Sequence, residues 1–349
     1  MTQNDSPAAD FAATKALVQA HYHDMARATP QTVQSILEKR VSGECQWYGM
    51  HPFNEQCGPA AIANSFWQPL LRAFSRVQRR QDIFFAGLNC IDNDPSQNAG
   101  QNAGQWAASM GHLMGLFDAP FLGIPATGKM AFLRYAEFNK VENGKITQTA
   151  LFVDLLHLML QAGLNPLKAP QTAAHLVQPG PMTHDGMLSD PQDPAEGRKT
   201  LDRIHAMIGS IDRANADPKP LTPQEELQQD WHDDMIWWGP AGIGATYTID
   251  RYIQQHQQPF RKGLSDRSFN GHLCRMAEGH YGGFFGWPNL TLTNTNGFMG
   301  LPISDTRADM RVVDIYRRAG DKLAENWIFI DMLHFMKMLG VDVLADLNP

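Results

Sequence analysis

Residues 314–344 read DIYRRAGDKLAENWIFIDMLHFMKMLGVDVL, and residues 137–167 read EFNKVENGKITQTALFVDLLHLMLQAGLNPL. The second stretch is a near-copy of the first, set 177 positions earlier. Extended upstream, residues 121–167 align with 298–344 without a gap, and 13 of the 47 pairs are identical. Phe121/Phe298, Gly123/Gly300, Pro125/Pro302, Arg134/Arg311, Lys145/Lys322, Asp154/Asp331, His157/His334 and Gly163/Gly340 are among them. Conservative pairs such as Glu137/Asp314 and Val153/Ile330 fill much of the rest. Chance does not produce this, and a period so long is domain-sized rather than a solenoid unit.

Further pieces of the repeat lie upstream. Trp47–Gly49 (WYG) matches Trp237–Gly239 (WWG) at an offset of 190, as do Pro69/Pro259 and Ser75/Ser265. Gly111-His112 aligns with Gly279-His280 at an offset of 168, which implies about 22 extra residues in the first copy. These include SQNAGQNAGQ, whose polar low complexity reads as a flexible loop. By the same alignment, the second copy holds 9 extra residues between His280 and Phe298. The chain therefore divides into a first domain over 11–167, a Pro- and Gly-rich linker over 168–197 and a second domain over 198–349.

Each copy starts helical. TPQTVQSILEKRV offers Thr29 as an N-cap with Pro30 at the first helical position, and TPQEELQQD repeats the device at Thr222 and Pro223, with Glu225 completing a capping box. The segments ECQWYG and DMIWWG read as short strands. A second helical stretch follows in each copy, and Pro69 and Pro259 are expected to kink or end it. ADMRVVDIYRR, the turn AGDK and LAENWIFID form a hairpin signal. Met332, Phe335, Met336 and Leu339 then recur at helical spacing, and Gly340 is placed to cap that helix. Helices followed by a strand meander make an α+β class, with helices laid over one face of a curved antiparallel sheet to enclose a pocket.

Composition bounds the function. Of 349 residues 43% are apolar and 19% charged, which suits packed domains; the net charge of −7 argues against a nucleic-acid partner. The four cysteines form no C-x-x-C pair, so reduced thiols and no metal site are expected. No apolar run approaches a membrane span, and MTQNDSPAAD lacks the basic and apolar regions of a secretory leader, so a cytoplasmic location without membrane contact is expected. No phosphate loop, dinucleotide fingerprint or nucleophile elbow stands in a credible context.

At this point a resemblance enters. GHLMGLFDAPFLGIPATGKMAFLRYAEFNKVENGKI in the first copy, and WWGPAGIG, AEGHYGGFFGW, RVVDIYR and DKLAENW in the second, resemble the SnoaL-like polyketide cyclase (ester cyclase) family, within the nuclear transport factor 2-like fold that also contains ketosteroid isomerases. The resemblance covers most of both halves and implies two tandem cone-shaped α+β barrels (cystatin-like) and cofactor-free ring closure of a polyketide ester by intramolecular aldol condensation. The family's strand carboxylate falls on Asp314 and Glu137, and its pocket histidine on His280 and His112. Neither copy matches cleanly: the first keeps PATGK and the second has ISDTR there, while only the second keeps WWGPAG and the aspartate, so the second is the better catalytic candidate. The resemblance also implies pairing through the sheets, here as an intrachain pseudo-dimer that leaves room for a further homodimer.

The residues fit these roles. Met310, Val312, Asp314 and Tyr316 alternate onto one strand face, so the carboxylate stands among apolar neighbours. Trp237, Trp238, Phe284, Phe285 and Trp287, with Tyr316, offer aromatic surface to a flat, hydrophobic, carbonyl-rich substrate. Simpler readings stand beside these: Asp314 paired with Arg311 or Arg317, His280 an ordinary loop residue, Asp154 and Asp331 helix N-caps. A non-catalytic small-molecule-binding protein of the same fold, or a purely structural module, would use the same architecture.

Overall fold

A computed structural model describes residues 10–93, 104–167, 178–216 and 221–347. The first half runs through helices Ala12–Met25 (α1) and Val33–Arg40 (α2) into β1 (Val41–Gly49) and β2 (Asn54–Cys57). A helical stretch over 58–73 leads to β3 (Phe74–Leu88), β4 (Gln105–Phe117), β5 (Met130–Glu142), β6 (Lys145–Val153) and a short helix, Leu155–Gln161 (α3). The second half repeats this order: helices Pro194–Ala216 (α4) and Pro223–Asp230 (α5), β7 (Trp231–Trp238), β8 (Ala245–Tyr247) and a helical stretch over 249–263. Then come β9 (Leu264–Phe269), β10 (Cys274–Glu278), β11 (Tyr281–Asn294), β12 (Arg307–Ala319), β13 (Lys322–Ile330) and helix Met332–Met338 (α6).

The strand orders are β2-β1-β6-β5-β4-β3 and β8-β7-β13-β12-β11-β10, with β9 also on β11. All neighbours are antiparallel except β1 with β6 and β7 with β13, so each sheet is mixed rather than wholly antiparallel. Both sheets are open, and no closed barrel forms among the described residues. Register shifts in β3 and β11 mark bulges that bend the sheets. Left-handed residues fall at equivalent places beside them, Arg76 (φ 57°) and Asp266 (φ 48°).

Local chemistry explains most helix ends. Thr222 and Glu225 form the expected reciprocal capping box. Thr29 does not cap α2: its hydroxyl meets that of Thr32 at 3.0 Å in a preceding turn, and the helix starts at Val33. Pro69 and Pro259 neither end nor break their helices. Each follows a π-turn, Ala63–Trp67 or Ile253–Gln257, and the helix then continues to Ala73 or Gly263. A wider turn absorbs the missing N–H of proline. Asp154 and Asp331 cap α3 and α6 as expected, accepting from the backbone of His157 and His334.

Much of the expected linker is built in. Residues 168–177 and most of the SQNAGQNAGQ tract lie outside the described residues. Gly186 and Leu188 bracket Phe84 of β3 through two 2.8 Å backbone hydrogen bonds, and the indole N–H of Trp327 donates to the Pro179 carbonyl. The expected second-domain start at 198 falls inside α4, which begins at Pro194.

The helix-covered faces of the sheets form one body of core, and their outer faces pack on each other to form another. Phe285 lies against Tyr48, Trp106 and Phe138 across this contact, and Trp287 against Phe152. The polar contacts are reciprocal. Asp154 accepts from the Ala241 N–H at 2.8 Å, and Asp331 from the His51 N–H at 2.8 Å. Ala241 and His51 are themselves related by the offset of 190, so the two halves meet across a pseudo-twofold. Asp154 also bonds Arg134, which is fully buried, at 2.9 Å. Asp154→Ala would strand that guanidinium and remove a helix cap, costing about 3–5 kcal/mol. Urea titration should show that loss as a single shifted transition, since the halves share their core; two separate transitions would contradict the shared core.

Candidate active site

Strand alternation sorts the candidate residues. On β12, Met310, Val312 and Tyr316 belong to the helix-covered interior, and Val313 and Ile315 to the contact between halves. Asp314 shares the interior face, as its spacing predicts. It is central in the sheet, between Phe284 of β11 and Ile328 of β13, and is only 7% exposed. Asn326 donates to its Oδ1 at 3.0 Å, and the Tyr316 side chain, two residues along on the same strand face, is close enough to act on its pKa. The Tyr316 ring packs against Trp231 and Phe284.

Among the described residues, no cation pairs with this carboxylate. Arg317 is engaged with Glu325 at 2.5 Å and Arg311 with Asp331 at 3.4 Å, so the surface-pair alternative for Asp314 is not what forms. Burial raises its pKa to about 7, against the smaller opposing effect of Asn326 and Tyr316. Tyr252 and Tyr316 are pushed upward, first by burial and then by the charge of Asp314, so both hydroxyls stay protonated donors.

Glu137 takes the equivalent place on β5 but a different environment. It is 2% exposed and meets the Arg79 guanidinium at 2.6 Å. Arg79 is itself sandwiched between the rings of Tyr22 and Tyr135, at 3.9 and 4.4 Å. Burial alone would lower the arginine pKa, but Glu137 outweighs it and holds the guanidinium charged. The first half thus carries a compensated ion pair where the second carries a lone acid.

The expected histidines do not join these carboxylates. His280 stands in the turn before β11, half exposed, with its Nε2 3.2 Å from Glu196. His112 is buried, but shares its β4 face with Met110 in the contact between halves. Its Nδ1 lies 3.6 Å from Asp82, and its Nε2 accepts from the Gln178 N–H. His112 and His280 are not equivalent either. His112 pairs with Arg134, whereas the position opposite Arg311 falls in the bulge after Gly286. The 168 offset therefore aligned a turn with a strand.

The aromatic set also divides. Trp237, Phe284 and Tyr316 face the interior; Trp238, Phe285 and Trp287 face the other half. Adjacent residues such as Trp237 and Trp238 cannot line one wall of a strand. Asn326 and Tyr252 near Asp314, and His256 beside Tyr252, are not among the expected site residues. The repeat held a signal for each, since Thr149, Ile62 and Phe66 occupy those positions in the first half. A cleft of about 340 Å³ opens elsewhere, where Lys15, Arg198 and Glu278 meet, and neither carboxylate lines it. No cluster of three or more metal-ligating side chains occurs among the described residues, and no described helix is long and apolar enough to cross a membrane.

No family model matches the sequence, and no curated protein matches it. Solved structures that match include SnoaL-like polyketide cyclases and NTF2-like proteins. A candidate SnoaL-like polyketide cyclase from Jannaschia sp. CCS1 is 17% identical and covers 47% of this chain and 100% of its own, at a TM-score of 0.32. An NTF2-like protein from Burkholderia xenovorans LB400 is 12% identical over 41% of this chain and 97% of its own, TM-score 0.32. IdmH, a candidate polyketide cyclase from Streptomyces antibioticus, is 16% identical over 41% and 99%, TM-score 0.32. Likeness of this kind does not carry an activity with it.

The raised acid has a stability signature. In the unfolded chain Asp314 titrates near 3.8, and in the folded chain near 7. Below pH 4 both states hold the proton. Between 4 and 7 only the unfolded chain releases it, so stability falls by up to roughly 4 kcal/mol and then levels off. Asp314→Asn carries no such penalty. Its Tm should exceed that of the wild type at pH 8 and converge on it near pH 4, by differential scanning calorimetry; a difference independent of pH would contradict the shifted acid.

Proposed function

We propose that the second half is a cofactor-free acid/base site of the SnoaL-like polyketide cyclase type, acting on a hydrophobic, carbonyl-rich small molecule. The observation that carries this reading is Asp314: a buried acid with no cationic partner among the described residues, pKa about 7, beside two protonated tyrosines. Ionised, it takes a proton from carbon adjacent to a carbonyl, and the electron pair moves onto the carbonyl oxygen. A hydroxyl of Tyr316 or Tyr252 donates to that developing oxyanion, the part expected of His280. The enolate carbon then attacks a second carbonyl of the same molecule, forming one carbon–carbon bond, and the new alkoxide is protonated. Proton return to the same carbon would make the site an isomerase instead. Asn326 positions the carboxylate, and Phe284 and Trp237 give the interior its aromatic surface.

In this reading residues 11–167 and 198–349 descend from one domain by tandem duplication, and the first copy is a structural partner. The Arg79–Glu137 pair supports that division, since a carboxylate already engaged by a buried guanidinium serves the scaffold. The chain would work as its own pseudo-dimer in the cytoplasm.

Deuterium exchange at the α-carbons of 2-tetralone, followed by proton NMR in D2O, tests the proton-abstraction step without a known substrate. Protein-dependent exchange should rise through about pH 7, as Asp314 ionises, and fall at least about 100-fold in Asp314→Asn. Exchange that persists in that variant, or that is absent from the wild type, would contradict the assignment.

A further inference from the structure

The helical stretches over 58–73 and 249–263 are equivalent residue for residue, π-turn on π-turn and proline on proline. Within that match, Phe66 and Trp67 of the first half become His256 and Gln257 in the second. The first half fills the place with aromatic core: Phe66 packs edge-on against Phe53 and Trp67. The second half puts two smaller, polar side chains there and keeps them more than nine-tenths buried, at 8% exposure each.

Their polar atoms are not consumed by the fold. Among the described residues, His256 Nδ1 and Gln257 Oε1 have no hydrogen-bond partner, and neither has the Oγ1 of Thr246, which is 4% exposed. The His256 ring stacks on Trp237, with 4.0 Å between centroids and 23° between planes. Thr246 pairs directly with Trp237 across β7 and β8, so both side chains leave the sheet on the same side. Tyr252 packs against His256 at 5.3 Å and also senses the charge of Asp314, which ties this group to the candidate base. Burial lowers the imidazole pKa to about 3, so His256 is a neutral hydrogen-bonding group and not a second base. A buried polar atom left without a partner is destabilising, and three of them in one half, at places the other half fills with aromatic packing or a local bond, are costly unless something binds there.

We infer that His256, Thr246 and Gln257 form a recognition station for a hydroxyl group of the substrate, and so set the substrate class of the Asp314 site. A hydroxyl fits all three, because it donates once and accepts twice. The Thr246 hydroxyl and a protonated His256 Nδ1, both on side chains that flank Trp237, would donate to its oxygen, and the Oε1 of Gln257, the next residue along the helix, would accept its proton. The first half cannot offer this: Phe66 and Trp67 have no acceptor there, and Gln56, the counterpart of Thr246, is spent on the Phe53 carbonyl at 2.6 Å. The inference rests on the second half being the ligand-binding one, and it makes the substrate a hydroxylated carbonyl compound rather than a bare hydrocarbon ring.

Titration calorimetry with two near-isosteric probes, 2-naphthol and 2-methylnaphthalene, at pH 7.5 tests it. The wild type should prefer the naphthol by at least about tenfold, the worth of one buried hydrogen bond. His256→Phe, which installs the residue of the first half, should reduce that preference to within about twofold with Tm unchanged or raised. Thr246→Val, nearly the same shape, should reduce it in the same direction. Asp314→Asn should keep it, because the station does not depend on the base. A preference that survives both His256→Phe and Thr246→Val, or no binding of either probe, would overturn the inference. Lost discrimination in His256→Phe together with an Asp314 that does not support exchange would instead leave the station standing and remove the catalytic reading.

Discussion

Asp154 and Asp331 each cap a helix in their own half and reach across to a backbone N–H of the other, at Ala241 and His51. That reciprocal contact pins the outer faces of the two sheets together, and the rest follows from it. A sheet with helices on one face and another sheet on the other has no solvated side. Its central strands are buried on both faces, so every polar residue they carry must be paired, hydrogen-bonded or pushed toward neutrality. Arg317 with Glu325, and Arg79 with Glu137, take the first course. Asp314 takes the last.

The two halves resolve the same constraint in opposite ways. At the position of Glu137 the first half adds a buried arginine between two tyrosine rings, and the carboxylate becomes part of the scaffold. The second half has Phe269 where the first has Arg79, by the offset of 190, and that phenylalanine lies at the surface. Losing one cation is what leaves Asp314 raised. The change from Glu to Asp at the start of the repeated stretch is thus the smaller difference; the missing arginine is the larger one.

Legibility in the sequence followed range. Many features set by neighbours along the chain read correctly, among them the capping box at Thr222, the hairpin around Gly320, the Met332–Leu339 stripe and the Asp314 face, but the Thr29 cap gave way to a turn with Thr32, and π-turns carried the helices past Pro69 and Pro259. The repeat itself is visible as an ungapped offset of 177 over residues 121–167, and with it the doubling of the fold. The site failures have two sources, contacts distant in sequence and strand alternation left unapplied. His280 was matched to His112 by two letters, but β11 carries a bulge that β4 lacks there, so register and letters part company. Trp238, Phe285 and Trp287 were grouped with interior aromatics because all are large, although alternation alone sends them to the other face. His256 was overlooked because it lies on a helix and is notable only beside Phe66.

The proposed chemistry depends on one acid, Asp314, being out of its usual range inside a folded protein. Carbon-13 NMR of the aspartate carboxyl groups from pH 4 to 9, with the Asp314 signal assigned by its absence in Asp314→Asn, observes this directly. A single carboxyl resonance shifting with a midpoint near pH 7, and missing from the variant, is what the account predicts. An Asp314 resonance that is already fully ionised at pH 5 would contradict it, and would place that residue with Glu137 among the structural charges.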